Sequence, residues 1–201
     1  MCLFIETICY QGGAFQRIEL HNERFNRTRE QFFWIQSDFQ LELILSIPPH
    51  LTGENVKCTI TYAAEIISID YNIYEIRSII SLQMVRADTI EYSFKFANRA
   101  IINSLFNLRE QSDDILIIKN NFITDTSYAN IIFKRKNLWY SPLNPLLKGT
   151  RLENYQREKR ITPALLRVND LKHFSEARII NAMISIENSP IIEIENIKII
   201  I

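Results

Sequence analysis

Between residues 56 and 85, β-branched and apolar residues alternate with polar ones in three successive runs, 56–63, 66–71 and 74–85. Such alternation restricts the segment to strands with one buried face and one wetter face. Residues 2–9 (CLFIETIC) have the same character, and Gln11-Gly12-Gly13 supplies a turn back into residues 14–20, so the chain is expected to open on a β-hairpin. From His21 the period changes. Arg24, Phe25, Thr28, Phe32 and Phe33 recur at three and four residues, which predicts an amphipathic helix ending before Ser37 and Asp38. A second helix is expected over 41–47, stopped by Pro48-Pro49. The first part therefore reads as an antiparallel sheet covered on one face by helices.

The polar stretch Arg86-Ala87-Asp88-Thr89 marks a boundary, giving a small α+β domain over 1–86 and a second domain over 87–201. The second domain is expected to begin with a helix over 96–109. Short strands then follow at 115–119, 131–133, 138–141, 164–168, 178–181 and 191–201, a pattern suited to a closed or strongly curved sheet.

With 201 residues, 47% of them hydrophobic, the chain can bury a sizeable core. Lysine plus arginine equals aspartate plus glutamate, 23 each, so no net field argues for nucleic acid or a membrane surface as partner; a small molecule is the default. Cys2, Cys9 and Cys58 are odd in number and widely spaced, with no C-x-x-C pair and no metal-ligand cluster, which fits a reducing compartment. No apolar run approaches the roughly 18 residues needed to span a bilayer, and no signal-peptide pattern opens the chain. A cytoplasmic location is expected.

Several residues could carry chemistry. Lys95, in Tyr92-Ser93-Phe94-Lys95-Phe96, is flanked by aromatics: either it points to solvent between buried neighbours, or it is a partly desolvated amine able to act as a nucleophile. Read singly, Arg24 is a solvated helix residue, Gly149 a turn and Asp125 a turn aspartate. The same holds for the three histidines.

Their order along the chain changes that reading. Phe4-Ile5-Glu6-Thr7-Ile8, His21-Asn22-Glu23-Arg24-Phe25 and Tyr92-Ser93-Phe94-Lys95 with Asn98-Arg99 are followed by Asp125-Thr126-Ser127-Tyr128-Ala129-Asn130, then Leu146-Leu147-Lys148-Gly149-Thr150-Arg151 and Asn181-Ala182-Met183. This succession resembles the class IV aminotransferases and lyases across nearly the whole chain. The resemblance implies a two-domain α+β fold like that of D-amino-acid aminotransferase, the cofactor pyridoxal 5′-phosphate (PLP), and a homodimer. It implies Lys95 as the Schiff-base lysine, Arg24 as a phosphate ligand and Asp125 as partner of the pyridine nitrogen. Gly149 and Thr150 would belong to a phosphate turn, Asn181 and Ala182 to the last cofactor strand, and Thr7 to the substrate pocket. Arg99 and Arg151 are expected in supporting ion pairs, and no residue is assigned to a metal.

The sequence also departs from the family's pattern. Members carry a hairpin ahead of the Phe-Glu-Thr element, on which this sequence almost opens, so a more open substrate pocket is expected. Aspartate stands at 125 where glutamate is usual, and Lys148 where glycine is usual. Among the family's reactions, Asn181-Ala182-Met183 resembles the Asn-Ala-Leu of the 4-amino-4-deoxychorismate lyases, which release pyruvate and form 4-aminobenzoate for folate synthesis. That reaction is expected here. A transaminase of branched-chain or D-amino acids and a non-catalytic family member are the alternatives.

Overall fold

The computed structural model describes residues 2–199, which form two compact units. One contains the chain up to Glu75 together with Phe94–Asn98; the other contains Ile76–Ser93 and everything from Arg99 onward. The Lys95 segment thus packs with the first unit although it follows the polar stretch at 86–89.

The first unit is a four-stranded antiparallel sheet with one long helix. Strand β1 (Phe4–Gln11) turns through Gly12 and Gly13, both at positive φ, into the two-residue β2 (Ala14–Phe15). Helix α1 (Ile18–Phe33) follows at once, so the hairpin's second arm is far shorter than its sequence pattern suggests. Strands β3 (Val56–Tyr62) and β4 (Ile66–Ile73) complete the order β2-β1-β3-β4. The helix buries Leu20, His21, Arg24, Phe25, Thr28 and Arg29, a stripe at helical spacing that is more polar than most core faces. Phe4, Ile8, Phe25, Cys58, Ile60 and Tyr62 form the core beneath it, with Leu41 and Leu45 closing one side. Burying each of the larger side chains contributes roughly 1.5–3 kcal/mol.

Instead of a helix over 41–47 there is a single 3-10 turn, Leu41–Leu43. Side chains of α1 hold the incoming chain extended: Asn26 accepts from the Phe39 N–H and donates to the Phe39 carbonyl, and Asn22 accepts from the Leu41 N–H. Too few residues then remain before Pro48 to nucleate a helix.

The second unit carries a nine-stranded mixed sheet and two short helices. Its elements are β5 (Leu82–Arg86), α2 (Ala100–Phe106), β6 (Asp114–Lys119), β7 (Phe122–Thr126), β8 (Asn130–Arg135), β9 (Leu138–Pro142) and α3 (Thr150–Arg157). These are followed by β10 (Ile161–Ala164), β11 (Glu176–Ile180), β12 (Ile192–Glu193) and β13 (Ile197–Lys198). The main path runs β10-β9-β8-β7-β6-β5-β13, and β11 branches off by pairing with both β8 and β12. β5 lies parallel to β6 and β13, and β9 parallel to β10; the remaining pairs are antiparallel.

Several sequence-based boundaries move, each for a backbone reason. Residues 74–81 join no ladder, because the Asp113 carboxylate accepts the N–H groups of Ile80 and Ser81 at 2.9 and 3.0 Å in place of a neighbouring strand. The helix expected over 96–109 shrinks to α2 because Phe96 is already bridged to Phe4. β7 was not anticipated; its hairpin with β6 turns through Asn120 and Asn121, both at positive φ. The expected strand over 191–201 is two two-residue strands separated by a 3-10 turn, and its last two residues lie outside the described ones. Among the described residues no helix is long and apolar enough to cross a membrane.

Candidate active site

In the first unit, residues 94–97 lie along the β1 edge not occupied by β3. The Ile5 N–H donates to the Lys95 carbonyl at 2.9 Å, the Ala97 N–H donates to the Leu3 carbonyl at 2.8 Å, and Phe4 and Phe96 are bridge partners. Both aromatic neighbours of Lys95 turn inward: Phe94 meets the Phe32 ring edge-on at 4.8 Å, and Phe96 stacks at 5.0 Å from Phe4. The aromatic flanks that made Lys95 ambiguous in sequence are therefore its anchors, and Lys95 between them stays half-buried. Ile5, with which it pairs, and Thr7 stand on the face of β1 turned away from α1, opposite Thr61 and Thr59 of β3.

The other face of β1 carries Glu6, fully buried against α1. Its carboxylate accepts from Arg24 Nε at 2.7 Å and from Arg24 Nη2 at 2.6 Å, and it meets His21 Nδ1 at 2.6 Å. Burial alone would push the Glu6 carboxyl up, but the Arg24 guanidinium and the hydrogen bonds from Arg24 and His21 outweigh it and hold the group at about 2. Burial pushes the His21 imidazole below its ordinary value, against the pull of Glu6, so at neutral pH it is the uncharged ring donating its Nδ1–H. Arg24 thus has two of its nitrogens committed to a carboxylate, a partner that its sequence position did not reveal. Glu6 sits at helix-facing parity in the β1 alternation, which was the available signal.

In the second unit, Asp125 on β7 and Asn130 on β8 face each other directly across a tight hairpin. Thr126 closes the turn by bonding with both the N–H and the carbonyl of Ala129. Asn130 Nδ2 donates to Asp125 Oδ1 at 2.7 Å and to the Leu147 carbonyl at 2.8 Å, and its Oδ1 accepts the Gly149 N–H at 3.1 Å. The Leu147 N–H donates to Asp125 Oδ2 at 3.0 Å. Gly149 is the N-cap of α3, and a Cβ there would run into Asn130 Oδ1, so only glycine permits this approach. Burial pushes the Asp125 carboxyl up to about 7 against the pull of these donors, and among the described residues no cation pairs with it.

Thr150, buried, opens α3, and Arg151 beside it reaches the turn after β11. Arg151 Nε donates to the Asn181 carbonyl at 2.7 Å and Nη2 to the Ala182 carbonyl at 2.9 Å. Asn181 Oδ1 accepts the N–H groups of Met183 and Ile184, so its side chain closes its own turn. Arg99 likewise donates to a backbone carbonyl, that of Ser127. Among the described residues, Arg99 and Arg151 donate to backbone carbonyls in place of the expected ion pairs. The second unit therefore gathers Asp125, Gly149 and Thr150 around Asn130, with Asn181 and Ala182 tied on through Arg151. In the first unit Lys95 and Thr7 are attached to β1, and Arg24 lies between β1 and α1.

A sequence model of the family described as amino-transferase class IV matches residues 3–189. The chain belongs to that family, whose members are PLP-dependent enzymes. An uncharacterised Haemophilus influenzae protein is 37% identical over 180 residues, 89% of this chain and 96% of its own. The crystal structure of a candidate 4-amino-4-deoxychorismate lyase from Haemophilus somnus 129pt is similar with a TM-score of 0.83 at 30% identity, over 91% of this chain and 97% of that one. A fold IV transaminase from Curtobacterium pusillum shares the fold at 13% identity, with a TM-score of 0.73 over 94% of this chain and 78% of that one.

Proposed function

We propose that the chain is a PLP-dependent lyase acting on 4-amino-4-deoxychorismate, with pyruvate and 4-aminobenzoate as products and a role in folate synthesis. The observation that carries the cofactor assignment is Asp125: a buried carboxylate held by neutral donors, with no cation paired to it among the described residues, suits a cationic ring nitrogen. The turn into α3, shaped by Gly149, would present the N–H and the hydroxyl of Thr150, donors that suit a phosphate. Arg24 would add charge, and Asn181 and Ala182 the adjoining wall.

When bound, PLP serves as an electron sink for the carbanion formed on the substrate. The protein's part is to place and to move protons. Asp125 would favour a protonated ring nitrogen by accepting its N–H. Lys95 would hold the cofactor, and its Nζ, when free, would be the base for the proton on the ring carbon that bears the substrate amine. Loss of the enolpyruvyl group then leaves an aromatic ring, and the proton held by Lys95 is available to the departing enol, which leaves as pyruvate. Thr7 would contact the substrate. A second copy of the chain, as in the family's homodimers, would complete the assembly.

The choice of lyase over transaminase rests on the near full-length match to the candidate lyase and on the Asn181-Ala182-Met183 turn, which offers backbone and no hydroxyl side chains. Transamination of an amino acid is the second reading, favoured by the family description. Purified protein mixed with PLP is expected to develop an absorbance near ~410 nm, and borohydride should then fix the cofactor on Lys95. Lys95→Ala should lose both signals. Addition of 4-amino-4-deoxychorismate should yield equal amounts of pyruvate and 4-aminobenzoate. Cofactor-loaded protein that instead passes an amino group from an amino acid to a keto acid would replace the lyase by the transaminase, and no fixation on Lys95 would sink both.

A further inference from the structure

The second unit contains a side chain whose hydrogen-bonding capacity is spent on two parts of the candidate site at once. Asn130 bridges the Asp125 carboxylate on one strand to the Leu147–Gly149 turn that leads into α3. The direction of its amide is dictated by the backbone. The Leu147 carbonyl can only accept and the Gly149 N–H can only donate, so Nδ2 must face Leu147 and Oδ1 must face Gly149. A flipped amide would put two donors and two acceptors face to face. With Nδ2 so fixed, its second hydrogen points at Asp125 Oδ1 whatever the protonation state of the acid.

We infer that Asn130 is a positioning residue: through one amide it presents Asp125 as an acceptor to the ring nitrogen and holds the turn that leads into α3, whose first N–H groups would face the phosphate. The inference rests on the PLP reading above for what occupies the site, but not for the bridge itself. The hairpin accounts for the placement, since Asp125 and Asn130 are direct cross-strand partners and their side chains share a face. Gly149 completes the device: its missing side chain is what lets Asn130 Oδ1 reach the turn. Asp125 has a shorter side chain than glutamate, so its carboxylate stays close to β7; the amide of Asn130 and the Leu147 N–H then fix both of its oxygens in direction.

Three variants separate the two tasks. Asn130→Ala removes both. Asn130→Asp keeps an oxygen for the Gly149 N–H but takes away the donors to Asp125 and Leu147. Gly149→Ala collides with Asn130 and with nothing else nearby, so Gly149→Ala should lower the melting temperature in the wild type and do so much less in the Asn130→Ala background. That cycle needs no cofactor. In the loaded protein, Asn130→Ala should bind PLP roughly tenfold or more weakly, since it leaves buried groups unsatisfied. The pH midpoint of the cofactor's absorbance change should move by about one unit, and further in Asn130→Asp, where a second acid faces Asp125.

Equal penalties of Gly149→Ala in both backgrounds would overturn the bridge. A lowered melting temperature with wild-type cofactor affinity and an unmoved pH midpoint would reduce Asn130 to a fold-stabilising residue and overturn the positioning role. If wild-type protein takes up no PLP, the cofactor reading fails instead, and the cycle alone decides whether Asn130 holds the turn.

Discussion

Glu6 is the residue on which the first unit's polar core depends. It has no exposure, and three donor atoms from Arg24 and His21 converge on its two oxygens. Removing its charge while keeping its shape, as in Glu6→Gln, takes from the buried Arg24 guanidinium the carboxylate that its Nε and Nη2 bond. Breaking a buried pair in this way costs roughly 3 kcal/mol or more. The denaturant midpoint of Glu6→Gln should fall accordingly, with an unchanged slope. The pH dependence supplies a second check. The folded-state value of Glu6, about 2, lies below the ordinary 4.5, so the stability it contributes is complete above 4.5 and is lost as pH falls from there towards 2. Glu6→Gln should lack that loss. A variant as stable as wild type at pH 7 would show that the pair contributes nothing.

At the scale of elements, the β6–β7 hairpin is built on an unexpected turn. Asn120 and Asn121 both have positive φ, at 50° and 68°, between the paired residues Lys119 and Phe122. This is the two-residue geometry that favours asparagine followed by glycine. Asn121→Gly should stabilise the protein by about 0.5 kcal/mol, whereas Asn121→Val, with a branched Cβ in the left-handed region, should destabilise it by about 1–2 kcal/mol. Thermal unfolding of the two variants should move in opposite directions. The same turn shows where local pattern is silent, because Asn120-Asn121 lies between two apolar runs without a glycine or proline to punctuate them. The α1 stripe and the alternation of β3 were legible, since burial on one face imposes a period on the sequence. The irregular stretch 74–81 was not, because it alternates like a strand while the N–H groups at its end, those of Ile80 and Ser81, are taken by Asp113, a residue distant in the chain. At the candidate site, resemblance singles out Lys95, Asp125 and Gly149, and the structure joins the last two through Asn130. Asn130 carries no signal of its own in the sequence, because its importance arises only when the hairpin sets it opposite Asp125.

For the molecule as a whole, the buried ionisable groups tie stability, pH and ligand together. Asp125 has a folded-state value raised to about 7 from an ordinary 3.8, so the folded chain binds more protons than the unfolded chain between those limits. Its contribution to stability is therefore complete below 3.8 and is lost as pH rises towards 7, by an amount on the order of 4 kcal/mol if unrelieved. His21, depressed by burial, acts in the other direction: its contribution is present above 6.5 and is lost as pH falls below that value. A cationic ring nitrogen placed against Asp125 would cancel the loss on the alkaline side, because the carboxylate would then have the cationic partner that no described residue provides. The rise in melting temperature on adding PLP should therefore grow between pH 5 and pH 8. Asp125→Asn should flatten that growth and raise the stability of the cofactor-free protein at pH 8, since it removes the charge without removing the shape. Ionisation of the cofactor phosphate contributes equally to both proteins and drops out of the comparison. A cofactor-induced shift with the same pH dependence in Asp125→Asn and wild type would mean that Asp125 does not meet the ring.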